Sequence, residues 1–185
     1  MMSHNSKPTS QPETEILYSG KFIILKRRGT WEYASRPHNM GAAVILALDG
    51  EYVILVEQPR IPFGAHTIEL PAGLIGDTDS HESVETAAAR ELIEETGYQA
   101  DIIENLGQFA SSPGMTSESF FLVRAQNLTR ISEGGGVDDE EITVHRVKLS
   151  ELPDFLEQKR QQGLVIDAKL LLLLGSNFLE LSVSK

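Results

Sequence analysis

The chain has no cysteine, which excludes disulfides, zinc–thiolate centres and a thiol nucleophile. That absence fits a reducing compartment, and a cytoplasmic location is the expectation. No stretch approaches the roughly 18 apolar residues that a bilayer span needs. The leucine run at 170–174 is too short, and residues 1–11 are polar with no apolar core of a signal peptide. No membrane partner is expected. Positive charge is scarce: 16 Lys and Arg stand against 27 Asp and Glu, a formal charge of −11. Polyanions such as DNA need a broad basic footprint, so nucleic acid is not an expected partner. A small anionic substrate stays compatible, through a few converging arginines or bound cations that invert the local field.

What is present is ordinary globular material. The 185 residues are 41% apolar and 23% charged, enough for one well-cored domain. Residues 1–14 are rich in Ser, Pro, Asn and Gln, and a disordered tail is expected there. Short strands are expected at 16–19, 22–27 and 30–35, separated by Gly20 and Gly29. Strands at 42–48 and 52–57 flank Asp49-Gly50, a hairpin signal, and 67–70 is a short strand running into Pro71. Residues 83–96 read as a helix, capped by Ser80 or Ser83 and ended by Gly97, with Val84, Ala88 and Leu92 towards the core. Further strands are expected at 101–111, 119–125 and 143–148, and helices at 151–162 and 167–174. Consecutive hairpins argue against a purely parallel sheet. The expected fold class is α/β (α+β): a mixed β-sheet sandwiched between helices.

The helix at 83–96 carries the densest chemistry. At 100° per residue, Glu91 and Glu95 lie about 40° apart on its surface, and Glu94 falls within the same arc of about 100°. Like charges four residues apart repel mildly. A hard divalent cation removes that repulsion, and carboxylate oxygen is the ligand magnesium prefers. Arg90 stands four residues before Glu94 and can orient or partly neutralise it. An acidic solvated face would explain three glutamates alone. It does not explain the wider pattern Gly76-x5-Glu82-x7-Arg90-Glu91-Leu92-x-Glu94-Glu95-x-Gly97-Tyr98. That pattern resembles the Nudix box at every specified position, and average residue usage puts a chance match on the order of 10⁻⁹ per window.

The resemblance implies a Nudix fold and hydrolysis of a nucleoside diphosphate linked to another group. It implies Mg²⁺ as cofactor, two or three ions, with Mn²⁺ able to substitute. The start of the box allows two alignments. Either Gly76 is its first glycine, or the segment Leu70-Pro71-Ala72-Gly73-Leu74-Ile75, similar to sugar-type members, begins it at Gly73 and residues 76–81 carry a three-residue insertion. The second alignment is favoured. It makes the Ala72 carbonyl a metal ligand beside Glu91 and Glu95, and leaves Glu82 at the edge of the site. Glu94 and Arg90 join the catalytic set.

Three segments outside the box bear on the substrate, each by resemblance. Ser112-Pro113-Gly114-Met115-Thr116-Ser117-Glu118 is similar to the catalytic loop of ADP-ribose pyrophosphatases, with Pro113 16 residues after Gly97. There the last glutamate positions the attacking water, a role that falls on Glu118; a plain Pro-Gly turn would account for Pro113 and Gly114 but not for Glu118. Trp31-Glu32, followed by Arg36, is similar to the base-binding strand of dimeric ADP-sugar pyrophosphatases. The indole would stack on adenine, Glu32 would accept from its amine, and Arg36 would sit near the phosphates. Arg60, after Glu57-Gln58-Pro59, would contact substrate phosphate or ribose through its guanidinium fork.

These resemblances assign residues 15–39 to a small N-terminal antiparallel β-subdomain that serves base binding and dimerisation, and 40–185 to the hydrolase domain. A homodimer is expected. The leading substrate is ADP-ribose, cleaved to AMP and ribose 5-phosphate, with GDP-mannose or a UDP-sugar as the alternative. A nucleotide-sensing domain without turnover is the remote one, since the box glutamates are intact. The acidic run at 138–141 after Gly134-Gly135-Gly136 reads as a solvated mobile loop. The five histidines are scattered without ligand spacing, so no His metal site is assigned.

Overall fold

The computed structural model describes residues 12–37, 41–76, 81–137 and 140–174. Most of the expected N-terminal tail, Ser80, and half of the acidic run at 138–141 lie outside them.

Two units emerge: Met1–Met40 with Ala110–Glu118, and Gly41–Phe109 with Ser119–Lys185. The first holds an antiparallel sheet of β1 (Thr14–Ser19), β2 (Ile24–Arg28) and β3 (Trp31–Ser35). Gly29 makes the β2–β3 turn at φ 60°, a conformation that glycine adopts without steric penalty. The loop after residue 110 docks on β3. Ala34 N–H donates to the Met115 carbonyl, and Ser117 N–H to the Ala34 carbonyl, both at 2.9 Å. The segment 110–118 therefore joins the N-terminal sheet, which the sequence alone did not suggest.

The second unit is a mixed eight-stranded sheet in the order β11-β6-β5-β4-β9-β8, with β10 on β5 and β7 on β4. Its strands are β4 (Ala42–Asp49), β5 (Tyr52–Arg60), β6 (Ala65–Glu69), β7 (Ala72–Leu74), β8 (Tyr98–Ala110), β9 (Ser119–Arg130), β10 (Thr143–Lys148) and β11 (Val165–Ile166). Alternation along β4 explains its two-sided burial. Val44 and Leu46 enter one core with Leu55, Leu122, Leu152 and Leu170. Ala43, Ile45 and Ala47 enter the other with Ile54, Ala88 and Leu92. Helix α1 (Val84–Thr96) covers the second face, and α2 (Leu152–Gln161) with the 3-10 segment Ala168–Leu174 covers the first. The expected mixed sheet between helices and the α+β class are borne out.

The sheet opens where the site lies. β4 pairs with β5 only over Ala47–Asp49, then turns to β7, while β5 pairs onward with β6. The segment Leu70-Pro71 sits in that fork, and Ile45 N–H donates to the Pro71 carbonyl at 2.8 Å. The fork brings β7 against α1.

Some expectations need correction. The run at 167–174 is helical as expected, in the 3-10 form from Ala168, but β7 and β11 are strands that the apolar pattern did not reveal. The glycine triplet before the acidic run has a structural role that the sequence did not suggest. Gly135 N–H donates to the Glu95 carbonyl at 2.8 Å and Gly136 N–H to the Glu94 carbonyl at 3.0 Å. These are orphan carbonyls of the last helical turn, so the triplet caps α1. Among the described residues no helix is long and apolar enough to cross a membrane.

Candidate active site

Ser83 opens α1 by accepting from Thr86 N–H at 3.1 Å, and Gly97 closes it in the left-handed region at φ 74°. The sequence pattern had named both. A Cβ on Gly97 would meet the Ser132 carbonyl oxygen at 2.2 Å, so the irregular segment that follows β9 packs directly on this residue. Between its caps the helix buries Ala87, Ala88 and Leu92, which turns Arg90, Glu91, Glu94 and Glu95 towards β7 and the loop after it.

Arg90 organises the acidic face. Its Nε and Nη2 reach Glu82 at 3.1 and 3.2 Å, and its Nη1 reaches Glu91 at 2.8 Å and Glu94 at 3.1 Å. One cation thus gathers three carboxylates, and the Glu82 carboxyl is held below its ordinary value chiefly by that guanidinium. The contact to Glu94 is the one expected from the four-residue spacing. Glu82 also faces the Gly76 N–H at 3.4 Å.

Glu95 differs from these three. Only 5% of the residue is exposed, and among the described residues the hydrogen bond given to its carboxylate is from Ala72 N–H at 3.1 Å. Burial pushes its carboxyl up to about 8, and the charges of Glu91 and Glu140 add to the effect against the Ala72 bond and Arg60. Glu91 lies over Gly73: a Cβ there would stand 1.8 Å from the Glu91 carboxyl carbon. Only glycine admits that approach of carboxylate to backbone. Both glutamates therefore converge on the short strand β7, at Ala72 and Gly73.

This arrangement fits a hard divalent cation. Two carboxylates and the adjacent β7 backbone supply oxygen donors, and a buried, mutually repelling pair gains most from a nearby dication. Among the described residues no three His, Cys, Asp or Glu side chains form a ready ligand cluster. A complete shell on this helix would therefore use backbone oxygen and water as well, as magnesium sites commonly do.

Arg60 is occupied differently from the sequence expectation. Its Nε and Nη2 fork onto Glu69 at 2.7 and 2.8 Å, and the Thr67 hydroxyl donates to the same carboxylate. Glu69 had no role legible in the sequence, because its partner is nine residues away across the β5–β6 hairpin. Glu57 gathers His145 at 2.9 Å and Lys159 at 2.7 Å, with His66 at 3.5 Å. This ion-pair cluster brings together two histidines that are far apart in the chain.

In the N-terminal unit, Trp31 is 62% exposed and shares a cavity of about 350 Å³ with Arg28, Tyr33, Pro113 and Thr116. Glu32 lies 4.0 Å from Arg27. Arg36 Nε donates to Glu118 at 2.6 Å, and Thr116 Oγ1 accepts from Glu118 N–H at 2.9 Å. The structure thus pairs two of the sequence-predicted residues, Arg36 and Glu118, with each other.

Comparison with known proteins agrees with this geometry. A model of the NUDIX domain matches residues 37–168. An ADP-ribose pyrophosphatase of Bacillus subtilis (strain 168) is 34% identical over 166 residues, covering 84% of each chain. A GDP-mannose pyrophosphatase of Cronobacter sakazakii (strain ATCC BAA-894) is 38% identical over 144 residues, covering 72% of this chain and 71% of the relative. A solved structure described as an ADP compounds hydrolase superposes with a TM-score of 0.65 at 26% identity, covering 82% of this chain and 86% of that one. Hydrolases of this kind generally need divalent metal ions, which accords with the carboxylate pair of α1 that converges on β7. The chain belongs to the Nudix hydrolase family.

Proposed function

We propose that the protein hydrolyses the diphosphate bond of a nucleoside diphosphate sugar, with ADP-ribose, giving AMP and ribose 5-phosphate, as the leading substrate. The observation that carries the reading is the convergence of Glu91 and Glu95 on the β7 backbone. A diphosphate repels an anionic nucleophile, and Mg²⁺ bound there, with Mn²⁺ as a substitute, would neutralise its oxygens and acidify a water. Glu91, Glu95 and the Ala72 carbonyl would hold the metal. Arg90 keeps the Glu91 and Glu94 side chains oriented. Glu118 takes the role of positioning the water and accepting its proton. No covalent intermediate is required.

For the nucleoside, the cavity beside Trp31 and Tyr33 offers aromatic faces of the kind that stack on a base. Glu32 would accept from the adenine amine, Arg36 would approach the phosphates, and Arg60 would act on the glycosyl side. The relatives carry names for both ADP-ribose and GDP-mannose. GDP-mannose is accordingly the second reading, and it keeps the same chemistry.

The N-terminal sheet supports a homodimer. Every residue of β1 is exposed, and Ile16, Tyr18, Phe22 and Ile23 are each more than half accessible. Apolar surface of this extent on one small sheet is characteristic of interaction sites, and a second copy is the proposed occupant. Steady-state rates on ADP-ribose, GDP-mannose and UDP-glucose in Mg²⁺ test the substrate assignment. ADP-ribose should give the highest kcat/KM. A preference for GDP-mannose above about tenfold, which corresponds to 1.4 kcal/mol of transition-state binding, would replace it with the second reading.

A further inference from the structure

A cavity of about 480 Å³ opens on the sheet unit between the β5–β6 connection and the end of the chain. Its volume lies in the range that takes a small-molecule group. Phe63, Val165 and Ile166 give it apolar walls, and Arg60, Glu69 and Asp167 bring charge to it.

Sheet register explains why both acidic residues line this cavity. β11 runs parallel to β6, pairing Val165 with Thr67 and Ile166 with Ile68. Asp167 N–H continues the ladder to the Ile68 carbonyl at 3.0 Å. Asp167 thereby comes next to Glu69. Both acids are fixed by cations: Arg60 forks onto Glu69, and the Lys169 ammonium pairs with Asp167, whose Oδ1 also accepts from Lys169 N–H at 2.8 Å. Burial alone would raise the Glu69 carboxyl, but the bonds from Arg60 and Thr67 hold it below its ordinary value. It is ionised at neutral pH and accepts hydrogen bonds without donating them.

The cavity is also tied to the metal-binding helix. Glu69 is followed by Leu70-Pro71-Ala72, and Ala72 N–H bonds Glu95. Three residues of fully extended chain span at most about 11 Å. A diphosphate held at Glu95 can therefore send its second arm to Glu69. Two adjacent, immobilised carboxylates suit the vicinal hydroxyls of a sugar. An exposed aromatic face such as Phe63 suits the carbon side of its ring, and mostly apolar walls with few fixed polar groups are what such sites use.

We infer that this cavity receives the glycosyl half of the nucleoside diphosphate sugar, with Asp167 and Glu69 accepting from its hydroxyls and Arg60 holding Glu69 in place. The inference rests on the function proposed above. It makes Asp167 a specificity-determining residue and turns Arg60 from a direct substrate ligand into a positioning residue.

The test compares two substrates that share adenosine diphosphate: ADP-ribose, and the methyl ester of ADP, whose arm is too short to enter the cavity. Ala168 lines the cavity from an exposed position, so Ala168→Trp fills the space without disturbing the core. The variant should raise KM for ADP-ribose about tenfold while leaving the methyl ester within about twofold. Asp167→Asn, which keeps an oxygen for the Lys169 N–H, should lower kcat/KM for ADP-ribose by a similar factor and spare the methyl ester. Parallel changes on both substrates, or no change on either, overturn the inference alone. Absence of turnover of every nucleoside diphosphate sugar by the unaltered chain overturns the proposed function, and this inference with it. Melting curves of both variants report whether the fold is retained.

Discussion

The two units use their apolar residues in opposite ways. In the larger one, β4 and β5 bury Ile45, Leu46, Ile54 and Leu55 almost completely, each between helices and sheet. In the smaller one, β1 buries nothing, and Ile16 and Tyr18 face outward along with Trp31. With every residue of β1 exposed, a three-stranded sheet gains little from burial. Its exposed aromatics are explained better by what binds to them, a base or a second chain, than by folding. On the function proposed above, the larger unit would be the scaffold for the metal-binding helix and the smaller one a recognition surface.

The largest effects should fall on the scaffold. Leu55→Ala, at a fully buried position, should lower the stability of the chain by about 2–5 kcal/mol in denaturant titration. Tyr18→Ser should stay within about 0.5 kcal/mol in the same titration of the monomer, and should weaken self-association in sedimentation. Equal losses of stability at both positions would break the contrast.

Next comes Gly73→Ala. The added methyl carbon collides with the Glu91 carboxyl, so turnover should fall about 100-fold, the scale seen when metal-ligand orientation is lost, while α1 remains helical by circular dichroism. Wild-type turnover would remove Glu91 from the site. Glu118→Gln, on the recognition side, should lower kcat roughly 10- to 100-fold with little change in KM, as expected if it acts on the water. An unchanged kcat would take it out of the mechanism.

The smallest effect concerns pH. Burial raises the Glu57 carboxyl, but Lys159 and His145 outweigh it and hold it below its ordinary value. The folded pKa is depressed, so this carboxylate contributes stability above the unfolded carboxylate pKa. That contribution is lost as pH falls through the lowered value. Glu57→Gln should therefore reduce the slope of melting temperature against pH in the acid range and leave α1 chemistry untouched. An unaltered slope would mean that Lys159 and His145 do not hold Glu57 in solution.

How much was legible follows from where the partners lie. The helix was readable because its signals are local: Ser83 caps it, Gly97 ends it, and Ala88 and Leu92 repeat at four. The hairpin at Asp49-Gly50 was readable for the same reason. β7 was not, since three residues after a proline carry no alternation, and their pairing with β4 is set by the fork in the sheet. The capping role of the glycine triplet was not readable, because the carbonyls it caps belong to Glu94 and Glu95, some 40 residues earlier in the chain. Arg60 and Glu69, Arg36 and Glu118, and Asp167 beside Glu69 are likewise products of register or long-range pairing. The box named the residues of the metal helix, but the register-built acid pair that lines the neighbouring cavity had no local signal.

The account rests on metal-assisted cleavage by the carboxylate pair on α1, and one measurement tests that most directly. ADP-ribose turnover is followed against Mg²⁺ concentration for the unaltered chain and for Glu95→Gln, a change that preserves helix propensity. The account predicts saturable Mg²⁺ activation in the first, and loss of turnover by at least about 100-fold in the second with the helix intact. A Glu95→Gln protein with the same kcat and the same metal dependence as the parent would contradict it.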